Sequence, residues 1–318
     1  MVTGMNSSSD GNHARPLPLV CVLLSLYNGE RYLGEQLESL ASQRDVRIHI
    51  EARDDGSSDG SVELFEQTCA RLGLSHNIVR GTNVGAAESF FELMFQDLDR
   101  FDYVALCDQD DVWREDKLSY AVAALAPLGP GAALYGSTHT LTDEQLNPLS
   151  DSSAPREVGF GNAVIENVLQ GATVVMNRAG AALIRAIGRP RHSLMHDGWC
   201  YLVFSALGAV VFDPRPTILY RQHQNNVVGA THSFLQLWKR RIANHFQRAP
   251  GGFRFQTAEF LSMVGGRLSP DKRSIAERLV RSKRSIGVRL GLAFDRRLWR
   301  QARLDDLVWR LMILAGRY

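Results

Sequence analysis

Short apolar runs alternate with amphipathic helical patterns over the first third of this 318-residue chain. Residues 19–27 form an apolar run of strand length, and residues 29–43 then repeat apolar side chains at helical spacing. Three more strand-like runs follow at 46–53, 75–81 and 101–107, with helical patterns between them. Strands joined by helices in this order form a parallel sheet that carries helices on both faces. The sequence therefore predicts an α/β fold with a mostly parallel sheet.

A cluster of polar residues follows each of these four predicted strands. The carboxyl ends of parallel strands lie at one edge of a sheet, and ligands bind beyond that edge. We therefore expect the four clusters to line a single binding mouth with carboxylates, amides and glycines. Their sequences are YNGE at 27–30, DDGSSDG at 54–60, GTNVGA at 81–86 and DQDD at 108–111.

The DQDD cluster places the carboxylates of Asp108, Asp110 and Asp111 within four positions. Like charges this close repel each other, and a divalent cation such as Mg²⁺ or Mn²⁺ is the simplest compensation. Because such a cation keeps open positions that phosphate oxygens fill, the cluster favours a site for a nucleotide diphosphate. The alternative is that Asp110 or Asp111 only caps a helix that starts near Arg114, which leaves Asp108 unexplained.

The chain can bury a large core, since 45% of its residues are hydrophobic. The sequence has no run of about 18 apolar residues, so we expect no transmembrane helix. Residues 1–16 are polar and lack the apolar centre of a signal peptide, which predicts a disordered leader in a cytoplasmic protein. The four cysteines are far apart and predict buried free thiols rather than disulfides or a zinc site.

From residue 132 onwards the pattern is looser. We predict, in order, a strand, a long loop, a strand that leads into a helix, an apolar helix, and two short strands around Pro214 and Pro216. These elements complete a domain that we assign to residues 17–230. The segments are 132–141, 142–160, 170–188, 196–208 and 209–223.

Residues 231–318 differ from the rest because 19 Lys and Arg residues stand against 6 Asp and Glu residues. Two amphipathic patterns predict a basic, helical C-terminal region. Such helices suit a membrane surface, but the same apolar faces also suit packing on the body, and both interpretations stay open. Aromatic residues among the arginines favour nucleic-acid binding only weakly, and we expect no nucleic-acid partner. The apolar positions are Phe234, Leu235, Trp238, Ile242 and Phe246, then Phe294, Leu298, Leu304, Leu307, Val308 and Leu311.

Four segments of the sequence together resemble glycosyltransferase family 2. They are LLSLYNGERYLGEQLESLASQ, DDGSSDGS, NVGAAESF and CDQDDVWREDKL, and the resemblance covers about residues 18–225. It implies the GT-A fold, which is Rossmann-like, and an inverting, metal-dependent transfer of one sugar from a nucleotide-diphosphate sugar. The DQDDVW stretch is similar to rhamnosyltransferases of bacterial surface polysaccharides. This implies dTDP-L-rhamnose or a UDP-sugar as donor and a glycan or lipid-linked acceptor, which would place the enzyme at the cytoplasmic face of the inner membrane.

The resemblance also implies roles for individual residues. Asp54 or Asp55 contacts the base, Asp108 lies near the ribose, and Asp110 ligates the Mg²⁺ or Mn²⁺ ion that bridges the phosphates. Other residues of the nucleotide-sugar site would be Ser25, Tyr27, Asn28, Asn83, Gly85, Trp113, Lys117 and Arg221, with Arg53 nearby. Taken alone, the Asn83 turn is also typical of an ordinary loop, and Trp113 of a core residue.

Catalysis is assigned by the resemblance to Asp197, which matches the position of the family's base, with residues 170–172 on the acceptor side. His223 matches a late histidine that helps to bind the metal or the diphosphate. The family often has Glu-Asp where this chain has His196 and Asp197, which lowers the local charge and leaves the pKa of the base open. The alternatives are a helix N-terminal charge for Asp197 and a structural role for His223. His139 belongs to no such group and is interpreted as structural.

Other functions fit the sequence less well. A nucleotidyltransferase needs a glycine-rich loop with a basic residue, and a P-loop NTPase needs GxxxxGK[ST], whereas the first loop here has one glycine and no lysine. A processive polysaccharide synthase needs membrane spans and a QxxRW stretch after the base, and the sequence has neither. The alternative function is a non-catalytic nucleotide-sugar-binding protein on the same fold, which the presence of Asp110 and Asp197 disfavours.

Overall fold

The computed structural model describes residues 16–223 and 252–318. The first half of the chain alternates strands and helices as predicted, and the α/β class is confirmed. The elements are β1 (Leu19–Leu26), α1 (Glu30–Ala41), β2 (Arg47–Asp54), α2 (Ser61–Leu72), β3 (Ser75–Arg80), α3 (Ala86–Met94) and β4 (Tyr103–Cys107). The side chains from Val20 to Leu24 in β1 are fully buried, because β1 is an inner strand that packs into core on both faces.

The first four strands pair in the order β3-β2-β1-β4, and every pair is parallel. Leu33, Leu37 and Leu40 recur at helical spacing on α1, and all three are fully buried. Helix α2 ends where Gly73 adopts a positive φ of 67°, a left-handed conformation that glycine reaches at little cost. Because the four strands run in the same direction, the loops that follow them lie at one edge of the sheet.

The second half of the sheet mixes strand directions. Its elements are β5 (Val112–Trp113), α4 (Lys117–Leu125), β6 (Ala133–Thr142), β7 (Pro148–Asp151), α5 (Phe160–Ala163), β8 (Val175–Asn177), α6 (Arg178–Ile187), α7 (His196–Leu207) and β9 (Ala209–Arg221). Strand β8 is antiparallel to β4 and β6, β6 and β9 are parallel, and β5 is antiparallel to β9. Within the described residues the sheet has nine strands in the order β3-β2-β1-β4-β8-β6-β9-β5, and β7 pairs with β6.

The two short strands predicted around Pro214 and Pro216 are in fact one strand, β9. Its register against β6 slips at the prolines, since Ser137 lies opposite Asp213 whereas Thr138 lies opposite Pro216. Proline has no N–H to offer the ladder, and the Thr138 hydroxyl instead donates to the Pro214 carbonyl at 2.7 Å. The strand therefore continues across an irregularity rather than ending there. The predicted long loop before it also contains the short strand β7.

Four α-helices lie in residues 252–318, which confirms the predicted helical character of this part of the C-terminal region. They are α8 (Gly252–Val264), α9 (Pro270–Arg281), α10 (Ile286–Ala293) and α11 (Arg303–Leu314). Phe260, Leu279 and Trp309 are fully buried and share one hydrophobic core with Trp199 of α7. These helices thus pack on the body. None of the helices in the described parts of the chain is long and apolar enough to cross a membrane.

Three predictions fall wholly or mainly outside the described residues. They concern the disordered leader, the first apolar row of the C-terminal region from Phe234 to Phe246, and the domain boundary at residue 230. The four cysteines, by contrast, are all described. They are buried and unbridged, as the sequence predicts.

Candidate active site

The first and fourth loops are joined by the side chain of Gln109. The N–H of Tyr27 donates to Gln109 Oε1 at 2.8 Å, and Gln109 Nε2 donates to the Tyr27 carbonyl at 2.9 Å. A Cβ at Gly29 would collide with the Gln109 amide, so a side chain there would displace that amide from its present position. Gln109 gave no signal in the sequence, since it lies between two aspartates and its partner Tyr27 is 82 positions away.

The second loop is tied to the first by Asn28. Its N–H donates to Ser57 Oγ at 3.0 Å, and its Oδ1 accepts from the following N–H of the second loop at 2.8 Å. Asn28 has a positive φ of 46°, which asparagine tolerates better than most residues. Tyr27 is exposed at the rim, whereas Ser25 lies deeper and its hydroxyl donates to Ser89 Oγ at 2.8 Å. The predicted residues of the first loop thus lie at the end of β1 and contact the second and fourth loops and α3.

Asp55 holds the third loop in place. Its two oxygens accept from the N–H groups of Val84 and Gly85 at 2.9 and 2.8 Å, and the guanidinium of Arg53 pairs with the same carboxylate. Asp54 accepts an N–H of its own loop at 3.1 Å. The two carboxylates predicted to contact the base are therefore both buried at the end of β2, and Asp55 already accepts three donors.

Asn83 lies in the third loop and is exposed. Gly85 has a positive φ of 86° just before α3, a conformation that few residues other than glycine adopt. The segment is thus a fixed turn held by Asp55. Its contact with a nucleotide stays a prediction.

Three predicted carboxylates converge beyond the end of β4. Burial, and then the charges of Asp110 and Asp197, raise the pKa of Asp108 to about 7. Asp110 comes from the fourth loop and Asp197 from the first turn of α7. Asp108 of the predicted donor side therefore lies close enough to Asp197, the predicted base, for the charge of Asp197 to raise its pKa.

Asp110 and His223 are the predicted metal ligands, and the fold brings them together. His223 Nε2 lies 2.8 Å from Asp110 Oδ2, and the two side chains are 10% and 21% exposed. Within residues 16–223 and 252–318, no three His, Cys, Asp or Glu side chains are grouped closely enough to enclose a metal. One carboxylate and one imidazole could hold a Mg²⁺ or Mn²⁺ ion and would leave its other positions open to phosphate oxygens and water. The donor set thus fits a metal shared with a diphosphate rather than a closed structural site.

Asp197 lies at the start of α7, where its Oδ1 accepts from the N–H of Gly198 at 2.6 Å. The preceding His196 stacks on Phe90 with ring centroids 4.1 Å apart, and burial lowers the pKa of the imidazole, which favours its neutral form. A Cβ at Gly171 would lie 2.8 Å from His196 Nε2. The predicted acceptor-side loop is therefore packed directly against the residue that precedes the predicted base.

Trp113 and Lys117, which were predicted to flank the donor, lie in the core beneath the fourth loop. Both are at most 2% exposed, and Lys117 Nζ lies 3.4 Å from the centre of the Trp113 ring. Burial lowers the pKa of Lys117 to about 7. Asp111 is also buried and accepts from the N–H of Arg221 at 3.2 Å. The third carboxylate of DQDD thus belongs to the core, while Asp108 and Asp110 remain at the mouth.

Arg221 is 2% exposed, and its guanidinium is shared among several partners. Its Nε donates to the Asp110 carbonyl at 3.0 Å, and its other nitrogens pair with the Glu144 carbonyl and the Glu35 carboxylate. Arg221 is therefore placed behind the fourth loop, where it fixes the backbone of a predicted metal ligand. Its contact with the donor stays a prediction. Glu35 gave no signal in the sequence, since it meets Arg221 across 186 positions.

A family model described as Glycosyl transferase family 2 matches residues 21–186. The dTDP-rhamnosyl transferase RfbG of Shigella flexneri is 30% identical over 233 residues, which span 68% of this chain and 77% of that protein. The putative teichuronic acid biosynthesis glycosyltransferase TuaG of Bacillus subtilis is 25% identical over 162 residues, which span 51% of this chain and 63% of that protein.

Solved structures show the same architecture. A crystal structure of residues 1–349 of S. aureus TarS, in complex with UDP-GlcNAc, matches with a TM-score of 0.57 and 15% sequence identity. The match covers 94% of this chain and 81% of that one. At this identity the match shows a shared fold.

Proposed function

Because the chain belongs to glycosyltransferase family 2, we propose that it moves a single sugar from a nucleotide-diphosphate sugar to a glycan or lipid-linked acceptor, with inversion. Its similarity to a dTDP-rhamnosyl transferase supports dTDP-L-rhamnose as the donor. A UDP-sugar is the second candidate, since the TarS fold binds UDP-GlcNAc. The relation to TuaG supports a place in the synthesis of a bacterial surface polysaccharide.

The observation that carries this proposal is the convergence of Asp108, Asp110 and Asp197. The charges of Asp110 and Asp197 both raise the pKa of Asp108, which supports a single site formed by the three carboxylates beyond the end of β4. A non-catalytic binding protein has no need for a carboxylate opposite the diphosphate side. Asp197 supplies that group, which is why we favour a transferase over the binding-protein alternative.

We propose that Mg²⁺ or Mn²⁺ is held by Asp110, with His223 as a second ligand or as a contact to the diphosphate. When bound, the cation offsets the charge that builds on the departing diphosphate, so no general acid is required there. Arg221 fixes the Asp110 backbone, and Gln109 fixes the loop on the other side of the mouth. In this proposal, Arg221 and Gln109 hold the loop that carries Asp110 from two sides.

Asp197 acts as the general base in this proposal. It takes the proton of the acceptor hydroxyl while the oxygen of that hydroxyl forms a bond to the anomeric carbon. The bond from the anomeric carbon to the diphosphate breaks, and its electron pair leaves with the nucleoside diphosphate. Attack from the face opposite the leaving group inverts the anomeric configuration. The neutral His196 beside Asp197 leaves the base without a charged neighbour on its own helix turn.

The acceptor side is formed by residues 170–172, which pack against the start of α7. We propose that the acceptor is a growing glycan that is free or linked to a lipid. A lipid-linked acceptor would place the enzyme in the cytoplasm at the inner face of the membrane, as a peripheral protein. Nucleic acid has no role in this proposal.

A thermal-shift screen tests the donor and the metal together. Purified protein is heated with dTDP, UDP, GDP or CMP, each with and without Mn²⁺. A ligand at about 100 times its Kd adds about 2.7 kcal/mol of stability, which such a screen detects. We expect a metal-dependent shift with dTDP, and a shift with UDP alone would instead favour a UDP-sugar. If no nucleotide shifts the protein under either condition, the proposed metal-diphosphate site is wrong.

Release of dTDP from dTDP-L-rhamnose separates the enzyme from the binding-protein alternative. We expect metal-dependent release that rises when an acceptor glycan is added. If dTDP-L-rhamnose binds but no condition releases dTDP, UDP-sugars are assayed in the same way. Binding without turnover of any nucleotide-sugar would support the non-catalytic alternative.

A further inference from the structure

Helices α10 and α11 carry two rows of exposed apolar side chains. Ile286, Leu290 and Phe294 recur at every fourth position of α10 and the residue after it, and they are 69%, 48% and 77% exposed. The row on α11 has the spacing of a helix face and consists of Leu304, Leu307 and Leu311, which are 44%, 53% and 57% exposed. Within the described residues, the other exposed large apolar side chains are spread over the rest of the fold.

These rows are the outer side of a fixed helix pair. Leu292 and Trp309 point the other way and are fully buried in the core. Arg289 near the start of α10 donates to the Leu314 carbonyl at 3.4 Å, and Arg310 of α11 donates to the carbonyl of Ala293 at the end of α10. The helices therefore lie antiparallel, with their inner sides already packed. Their outer rows are not needed to complete the core.

The charge around the rows is mainly positive, and Asp305 beside Leu304 is the acidic residue of this segment that the ion pairs of Asp295 and Asp306 do not cover. Residues 281–318 contain ten Lys and Arg residues and three Asp residues. Two of these aspartates are neutralised locally, because Asp295 pairs with Arg278 and Arg297, and Asp306 pairs with Arg310. The exposed basic side chains of this segment include Lys283, Arg284, Arg296, Arg303 and Arg317. Apolar side chains with basic neighbours are the combination that suits an anionic lipid surface.

We infer that the α10–α11 pair docks on an anionic lipid surface, with the two apolar rows entering the headgroup region and the basic residues contacting lipid phosphates. A second copy of the chain fits less well. A symmetric dimer through this face would bring two strongly basic segments together, and they would repel each other. The inference rests on the proposed function only in naming the membrane that supplies the lipid. It identifies the surface that would hold the enzyme beside a lipid-linked acceptor.

Vesicle flotation of the full chain tests the inference without donor or acceptor. The vesicles contain phosphatidylcholine, with or without about 30% phosphatidylglycerol. Removal of residues 231–318 is unsuitable, because Phe260, Leu279 and Trp309 belong to the core. The test variant is instead F294S/L307S/L311S, and the matched control changes three exposed leucines elsewhere, L17S/L128S/L149S.

We expect the parent and the control to float with the anionic vesicles and not with the neutral vesicles. High salt should reduce this flotation, because it screens the charges. The partition coefficient of F294S/L307S/L311S should fall by about tenfold or more. Light scattering on the same proteins without vesicles reports any change in oligomeric state. Equal flotation of the test variant and the control, no flotation of the parent, or a loss of dimers instead of lipid binding would each overturn the inference. None of these outcomes bears on dTDP binding, so the transferase proposal is tested separately.

Discussion

Asp110 and His223 are 113 positions apart in the sequence, yet Asp110 Oδ2 and His223 Nε2 lie 2.8 Å from each other. Asp110 follows β4, and His223 follows β9 on the far side of β8 and β6 in the sheet. The loop that carries Asp110 reaches this position because β5 pairs with β9 through Val112 and Leu219. A short antiparallel ladder thus assembles the proposed metal ligands from two separate parts of the fold.

Replacing Asp110 with asparagine keeps the shape of the side chain and removes its charge. For D110N we expect the Mn²⁺-dependent thermal shift with dTDP or UDP to disappear, and kcat/KM to fall by about a hundredfold or more, because the cation loses its carboxylate ligand. D116N is the matched control, since Asp116 is a half-exposed aspartate at the start of α4. Retention of the metal-dependent shift by D110N would contradict the proposed ligand set.

Replacing Asp197 with asparagine separates catalysis from binding. The Asn side-chain oxygen still accepts the Gly198 N–H, so the start of α7 keeps its local structure. We expect kcat of D197N to fall by about a thousandfold, because a general base commonly contributes between 10² and 10⁴ to the rate. The donor thermal shift should stay close to that of the parent. A D197N enzyme with nearly normal kcat would rule out Asp197 as the base.

Gln109 is expected to be a positioning residue, since both polar atoms of its amide bind the Tyr27 backbone. Loss of two hydrogen bonds in Q109A should lower the free energy of unfolding by about 1 to 2 kcal/mol. Because the first loop is then released, we expect donor KM to rise severalfold more than kcat falls. Q67A, at an exposed glutamine of α2, is the control for stability. If Q109A lowered stability but left KM unchanged, Gln109 would have only a structural role.

Acid should destabilise the protein partly through His139. Burial lowers the pKa of His139 to about 4, and the nearby charge of Asp151 only partly opposes this. An unfolded histidine has a pKa of about 6.5, so the unfolded chain takes up the proton first as the pH falls. The stability that the neutral imidazole contributes is therefore present above about pH 6.5 and is lost as the pH falls towards 4.

Chemical denaturation at several pH values checks this prediction. Between about pH 7 and pH 4, H139Q should lose less stability than the parent, by on the order of 2 kcal/mol. H192Q is the control, because the His192 ring is 65% exposed. Parallel pH profiles for the parent and H139Q would show that another group dominates acid unfolding.

The order of elements through β4 could be predicted because each one is specified locally. The apolar run of β1, the leucine spacing of α1 and the glycine after α2 each act within a few residues. The shared location of the polar clusters could also be predicted, since parallel strands place their carboxyl ends at the same edge of a sheet. The sequence pattern was therefore enough to predict that Asp55, Asp108 and Asp110 lie at one edge of the sheet.

The supports behind the site could not be predicted, because they depend on pairs that are far apart in the chain. Nothing near Glu35 indicates that it meets Arg221, and nothing near Gln109 indicates that it pairs with the Tyr27 backbone. Trp113 and Lys117 follow the DQDD cluster directly, yet they fold inwards beneath it. Sequence spacing shows which residues are neighbours along the chain, whereas burial decides which of them face a ligand.

The shared core of α7 and the C-terminal helices also sets the order in which the protein is completed during synthesis. Phe90 of α3, Trp199 of α7 and Trp309 of α11 belong to one apolar cluster. A ribosome must therefore release α11 before the cluster that backs the proposed base can close. Contacts between such distant segments are slow to form, because the intervening chain must first be ordered. The strands that precede the polar loops emerge first, and the cluster around Trp199 can close only after α11 has emerged.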